Sequence, residues 1–232
     1  MKTRFRWFCI LFVCAMLLSL PSGAFQTKMK IAYCTEYPPY QFMDEAGNPS
    51  GLHVDIMNLI AKVKNLSIEY VPQDTDSACL QALDARQVDA VLGITADKYP
   101  KYISQSTDEF SSSNLSLFVP EALAGQLDAG HSFGEYLAVS QYMIVNPTVM
   151  TNLGIRRRIS VGTPVQLFDT LLDGKVDIMV GDRSSLQYQI REAGMEKQFV
   201  IYCNYVGTVR YNLIVTQGDH ETLRTINSGL AI

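Results

Sequence analysis

KIAYCTEYPPYQFMDEAGNPSGLHVD, residues 30–55, decides the fold of this chain. Residues 31–34 form a β-prone run bounded by polar residues. The run breaks at Tyr37-Pro38-Pro39-Tyr40, turns through residues 45–51 and enters a helix near Val54 and Asp55. Two successive prolines force an extended, non-helical backbone just past the strand end. That sets Tyr37, Tyr40 and Gln41 on a stiff loop at the carboxyl edge of a strand, where open α/β sheets bind ligands. Tyr-Pro clusters also pack as rigid surface loops, so a stabilising role stands beside ligand contact here.

Outward from this stretch, the pattern alternates between two periods. Ile56, Leu59, Ile60 and Val63 recur at helical spacing and predict an inward face. Residues 67–71 read as a strand, and Asp74, Thr75 and Asp76 offer caps for a helix carrying Cys79, Leu80 and Leu83. Residues 88–94 read as a buried strand. Strand, helix, strand, helix, strand is the rhythm of a βαβ sheet with right-handed crossovers. Residues 114–119 alternate as a strand and 120–135 read as irregular. A short strand at 136–139, a helical stretch near 147–153 and a strand at 159–161 follow. Pro164 then opens a helix with Val165, Leu167, Phe168, Leu171 and Leu172 inward. Residues 175–182 run into Asp182, which suits an N-cap for a helix carrying Leu186, Ile190 and Ala193. Strands at 199–203 and 209–216 and a final helix capped by Asp219, with Leu223, Ile226 and Leu230, complete the chain.

The 232 residues suit one domain or two small lobes. Lys2, Arg4 and Arg6, an apolar run at 7–20 and the small residues Ser22-Gly23-Ala24 predict a secretory signal over 1–24, with Phe25 as the mature start. An apolar run of about 14 residues is short for a membrane span. Removing that segment takes the net charge from −4 to −7, because three bases and no acid leave. Such a balance disfavours nucleic acid and anionic membrane as partners. Cys34, Cys79 and Cys203 then remain. Their spacing is not that of a metal site, and they read as buried apolar residues, with one disulfide open as an alternative. His53, His131 and His220 have no partner at ligand spacing, so no metal and no cofactor is expected.

Three motifs in order carry a resemblance. They are Y-P-P-Y-x-F with its glycine turn and G-x-x-x-D-I helix start, the run LQALDARQVDAVLGIT at 80–95, and KVDIMVGD at 175–182. Together they resemble the family 3 extracellular solute-binding proteins, over about residues 29–232. The resemblance implies an α/β, two-lobed periplasmic-binding-protein type II fold (a Venus flytrap), each lobe a central, mainly parallel sheet flanked by helices. It implies lobe one at 25–118, to which 206–232 return, and lobe two at 119–205. It further implies that Tyr37 and Tyr40 stack on a ligand and that Gly93 lets it approach the backbone. Thr95 would supply a hydroxyl, Gln141 would follow a lobe-two strand, and Asp182 would hold a positive group. Amino-acid binders of the family carry an Arg shortly after the Thr, whose planar fork grips an α-carboxylate. This chain departs there: no Arg occurs between Arg86 and Arg156, and Lys98 or Tyr99 takes the place.

The expected function is a periplasmic or secreted binding module that closes on a small polar or amino-acid-like solute. It would serve either an ABC-type permease or a sensor output domain. Two alternatives stay open: a dehydratase-like enzyme on the same scaffold, using Glu36, Asp55 or Asp182 as acid or base, and a degenerate scaffold that binds no solute.

Overall fold

The computed structural model describes residues 26–128, 136–140, 148, 151, 154, 155 and 157–231. The expected signal segment, Gln141 and most of the 147–153 stretch lie outside them.

The opening stretch forms β1 (Thr27–Cys34), a three-stranded minisheet of β2 (Glu36–Tyr37), β3 (Gln41–Met43) and β4 (Pro49–Ser50), and helix α1 (Leu52–Lys64). Then come β5 (Leu66–Gln73), α2 (Asp76–Asp84), β6 (Ala90–Ile94) and two 3-10 turns, Ala96–Lys98 and Pro100–Gln105. The chain continues through β7 (Ser111–Pro120), α3 (Glu121–Asp128), β8 (Tyr136–Ser140), β9 (Arg157–Val161), α4 (Pro164–Leu172) and β10 (Ile178–Asp182). It ends with α5 (Arg183–Glu192), β11 (Phe199–Val215) and α6 (His220–Leu230).

The main sheet has the order β5-β1-β6-β11-β7-β10-β8-β9. At one end β1 pairs in parallel with β5 and β6; at the other, β8 pairs in parallel with β9 and β10. Each parallel trio is bordered by one antiparallel strand, β11 against β6 and β7 against β10. The two long strands β7 and β11 pair antiparallel with each other and join the halves. In the first half, β5 to β6 crosses over β1; in the second, β9 to β10 crosses over β8. The direction of winding therefore reverses between β1 and β6, and again between β8 and β10. Open α/β sheets bind ligands at such switch points, beyond the carboxyl ends of the strands.

Packing follows this layout. Met29, Ile31, Val54, Met57, Ile60 and Ile226 fill the layer between the first half-sheet and α1 with α6. Cys34, Cys79, Leu80, Leu83 and Ile94 fill the layer under α2. Phe118, Leu167, Phe168, Leu186 and Ile190 pack α4 and α5 on the second half. A fourth cluster joins the halves: Tyr37 and Tyr40 pack against Leu115, Leu117, Ile178, Val180, Val209 and Tyr211.

Four local expectations change. Helix α1 begins two residues earlier than its apolar pattern suggested and buries His53, Val54, Met57, Ile60 and Ala61, leaving Leu59 and Val63 exposed. The sequence carries two apolar stripes, and the sheet takes the one beside His53. Residues 121–128 are helical rather than irregular, in keeping with the helix-forming Ala, Leu, Glu and Gln that outweigh Gly125. On α4, Leu172 is exposed. The return to the first half is one strand, β11, with register shifts between Ile201 and Cys203 and between Cys203 and Gly207, rather than two strands.

Gly51 ties the tyrosine loop to α1. Its φ is +111°, and a Cβ there would lie 2.5–2.7 Å from the carbonyl oxygens of Tyr40 and Pro39. Those carbonyls accept the first helical N–H groups, Leu52 N to Pro39 O at 3.1 Å and His53 N to Tyr40 O at 2.8 Å. The loop thus caps the helix that follows it. Gly51→Ala should cost about 2–3 kcal/mol from left-handed strain plus backbone collision, a fall of roughly 5–10 °C in Tm. Gly174→Ala has a φ of +69° but open space, and should cost only about 1–2 kcal/mol. Thermal unfolding of the two variants, followed by circular dichroism, checks the difference. Equal losses would show that contact with the loop carries none of it.

Candidate functional site

The carboxyl ends of the parallel strands bring the singled-out residues together from both halves. From the first half, β1 leads into Glu36, Tyr37 and Tyr40, and β6 leads into Thr95 and the 3-10 turn ending at Lys98. From the second half, β10 ends at Asp182. Gln141 lies outside the described residues.

Asp182 is fully buried, at 0 % exposure. One of its oxygens accepts the Ser185 backbone N–H at 2.9 Å, capping α5. Tyr40 Oη donates to the carboxylate, 3.1 and 3.3 Å from its two oxygens, and Tyr211 Oη donates at 2.8 Å. Tyr211 Oη also lies 3.1 Å from Tyr37 Oη. The cap and the contact with the first half coexist on one carboxylate: Oδ1 takes the Ser185 N–H together with the shorter Tyr40 bond, and Oδ2 takes Tyr211 and the longer one. Burial raises the Asp182 pKa; the bonds from Ser185, Tyr211, Ser113 and Tyr40 oppose that rise but do not cancel it. Tyr37, Tyr40 and Tyr211 form a triangle of rings with centroids 5.1–6.0 Å apart.

His53, also fully buried, lies under this triangle. Its ring stacks on Tyr40 at 4.8 Å and 25°, meets Phe110 edge-on at 4.9 Å, and lies 4.8 Å from Tyr211. Nε2 is 2.8 Å from Ser111 Oγ. The room left by the missing side chain of Gly93 is used within the chain: a Cβ there would fall 2.6 Å from Gln41 Oε1 and 2.7 Å from His53 Nδ1.

Half-buried Lys98 sits to one side. Burial pulls its pKa down to about 8, against the opposing fields of Asp76 and Asp182. Asp76 is buried and pushed up to about 6. Thr95 and Lys98, with Leu115, Thr208 and Arg210, line a cavity of about 50 Å³. Arg210 is itself paired with Glu109 at 3.2 Å. At another edge the halves meet again, where Thr163 Oγ1 donates to Glu36 Oε2 at 2.9 Å.

The sequence profile of the bacterial extracellular solute-binding proteins, family 3, matches residues 29–231. The chain belongs to this family. A probable histidine-binding protein of Neisseria gonorrhoeae is 25% identical over 210 residues, covering 87% of this chain and 76% of that protein. A crystallised histidine kinase sensor domain with similarity to periplasmic binding proteins superposes with a TM-score of 0.71 at 25% identity, covering 89% of this chain and 90% of that one. The VFT2 domain of Bordetella pertussis BvgS superposes with a TM-score of 0.75 at 16% identity, covering 88% and 87%. The fold is the two-lobed periplasmic-binding-protein type II fold, and the family is one of solute-binding proteins rather than enzymes.

Sequence reading missed Tyr211, His53 and the Glu36–Thr163 contact. Tyr211 had no signal beyond an aromatic residue on an alternating strand. His53 had a weak one, a lone histidine in the first turn of a helix directly after the tyrosine loop. The thiols of Cys34 and Cys79 are free and buried, while Cys203 is half-exposed. No described helix is long and apolar enough to cross a membrane.

Burial pulls the His53 pKa from 6.5 to about 3. Below about pH 6.5 the unfolded chain takes up a proton that the folded chain refuses, so His53 makes stability fall as pH falls toward 3. Asp76 and Asp182, with raised pKa values, keep their protons to higher pH in the folded state than in the unfolded chain and act in the opposite sense as pH falls. His53→Phe keeps a ring and removes the titration. Its stability should therefore decline less between pH 7 and pH 4.5 than the parent's, by up to about 1.4 kcal/mol per pH unit. Urea unfolding at the two pH values measures this, and an unchanged slope would mean that His53 is protonated in the fold.

Proposed function

We propose that this chain is a non-catalytic binding module that holds a small polar or amino-acid-like solute between its halves. The observation that carries the reading is the buried carboxylate of Asp182, presented by one half at its switch point and reached there by Tyr40 of the other. Any ligand that bridges these groups favours the closed arrangement by differential contact. Tyr37, Tyr40, Thr95, Lys98 and Asp182 are the proposed contacts, with Gln141 completing the second half and Gly93 acting through the Gln41 and His53 it accommodates. The lobes we assign are 25–118 with 206–232, and 119–205, following the halves of the sheet. Residues 1–24 act as a cleaved signal in this reading, leaving a periplasmic or secreted protein. The histidine-binding relative supports a solute of amino-acid size, and an ABC-type permease is one recipient in this reading. The sensor-domain relative supports an output domain as the reader of closure.

A second reading has its own observation. Asp182 already accepts from Tyr40, Tyr211 and Ser185, and the cavity at Lys98 is only about 50 Å³. A scaffold closed on its own side chains would look like this.

A thermal-shift screen of the purified protein against amino acids, amines, small carboxylates and sugars separates the two. A ligand at a hundredfold excess over its Kd adds about 2.7 kcal/mol, a rise of roughly 5–10 °C for a chain of this size. That rise should vanish in Asp182→Asn, which keeps a capping side chain. A flat response to every compound from a cooperatively folded protein would favour the self-closed scaffold.

A further inference from the structure

We propose that the solute is a small organic cation, an amine or guanidine lacking an α-carboxylate, held on Asp182 within the ring triangle of Tyr37, Tyr40 and Tyr211. This rests on the reading of the cleft as a ligand site and names the chemistry it selects.

The charges point this way. Glu36, Asp76 and Asp182 all stand at the strand ends between the halves, and the base whose charge faces Asp76 and Asp182 is Lys98. Arg210, near Lys98, is matched by Glu109. A ligand carboxylate arriving at Lys98 would compete with two resident carboxylates for one ammonium. Lysine also presents a point charge rather than the planar fork that holds a carboxylate in two hydrogen bonds. A zwitterion leaves the acidic excess as it was, whereas a cation reduces it.

The hydrogen bonds agree. Neutral hydroxyls of Tyr40 and Tyr211 occupy the positions on Asp182 that N–H donors would take. An ammonium or guanidinium replacing them brings the opposite charge, so that both partners of each bond are ionised. Its charge also offsets the cost of burying the ionised carboxylate, the burial that raises the Asp182 pKa. Ser185, whose N–H donates to the Asp182 cap, keeps a buried hydroxyl without a hydrogen-bond partner, a further acceptor beside the same carboxylate.

The rings supply the remaining term. Three tyrosines with centroids within 6.0 Å of one another pack tilted and edge-on, and they supply aromatic walls to a cation that enters as the rings part. His53 beneath Tyr40 is held neutral by burial, so no resident imidazolium repels that cation.

Matched pairs that differ only by a carboxylate test this directly: histamine against histidine, agmatine against arginine, and cadaverine against lysine, by titration calorimetry at pH 7 on the purified protein. At least one amine should bind ten times more tightly than its parent amino acid, and Asp182→Asn should weaken that amine at least tenfold. Lys98→Arg, which restores a fork, should narrow the gap within the pair. An amino acid that binds as tightly as its amine overturns the inference and leaves the solute-binding reading standing. So does binding of a sugar or simple carboxylate with none of the amines. Silence from every compound overturns both. The pairwise comparison on the unaltered protein decides the matter even where Asp182→Asn fails to fold.

Discussion

A carboxylate with no exposure to water is the constraint around which this molecule is built. Asp182 cannot stay ionised inside protein unless donors surround it. Its own helix supplies only one of them, the Ser185 N–H. The others are the Ser113 side chain and the phenol hydroxyls of Tyr40, on the far half, and Tyr211, on a strand shared by both. The electrostatic need of one residue thereby fixes how the halves meet. Phenols suit the task because each carries a large apolar ring that packs against Leu115, Val180 and Val209 while its tip stays polar.

This arrangement depends on backbone chemistry some distance away. Tyr40 is placed because its carbonyl, with that of Pro39, serves the free N–H groups at the start of α1. That docking requires a glycine at position 51, and the adjoining His53 ring supports Tyr40 from below. Gly93 leaves the space that His53 and Gln41 occupy. Two glycines and a histidine thus underlie a contact that none of them makes.

The strands, the helix caps and the order of the motifs were legible because they rest on local rules: apolar periodicity, a threonine before α2, proline at the start of α4, and Asp182 at the end of a strand. What could not be read depends on rotation and on contacts between distant segments. Helix α1 has two apolar stripes, and only the sheet decides that Leu59 and Val63 stay outside. The sequence named Tyr40 and Asp182 separately, but 142 residues part them and no spacing rule joins them. Tyr211 resembles any aromatic residue on a half-buried strand until its hydroxyl is seen on Asp182. Lys98 was legible as a departure from the family's arginine; its two carboxylate neighbours were not.

The long strand β11 carries a reserve of chain. Between Cys203 and Gly207, four steps along β11 are matched to only two along β7, from Leu117 to Leu115. Two residues' worth of backbone, about 6–7 Å when extended, is therefore stored where the strand passes from one half to the other. Ser116 Oγ holds one edge of this slack by a 2.7 Å bond to Asn204 O. A ladder in perfect register would transmit every relative rotation of the halves as strain on its hydrogen bonds. A ladder with spare length at its midpoint confines the rotation to a few residues and leaves the pairing on either side intact.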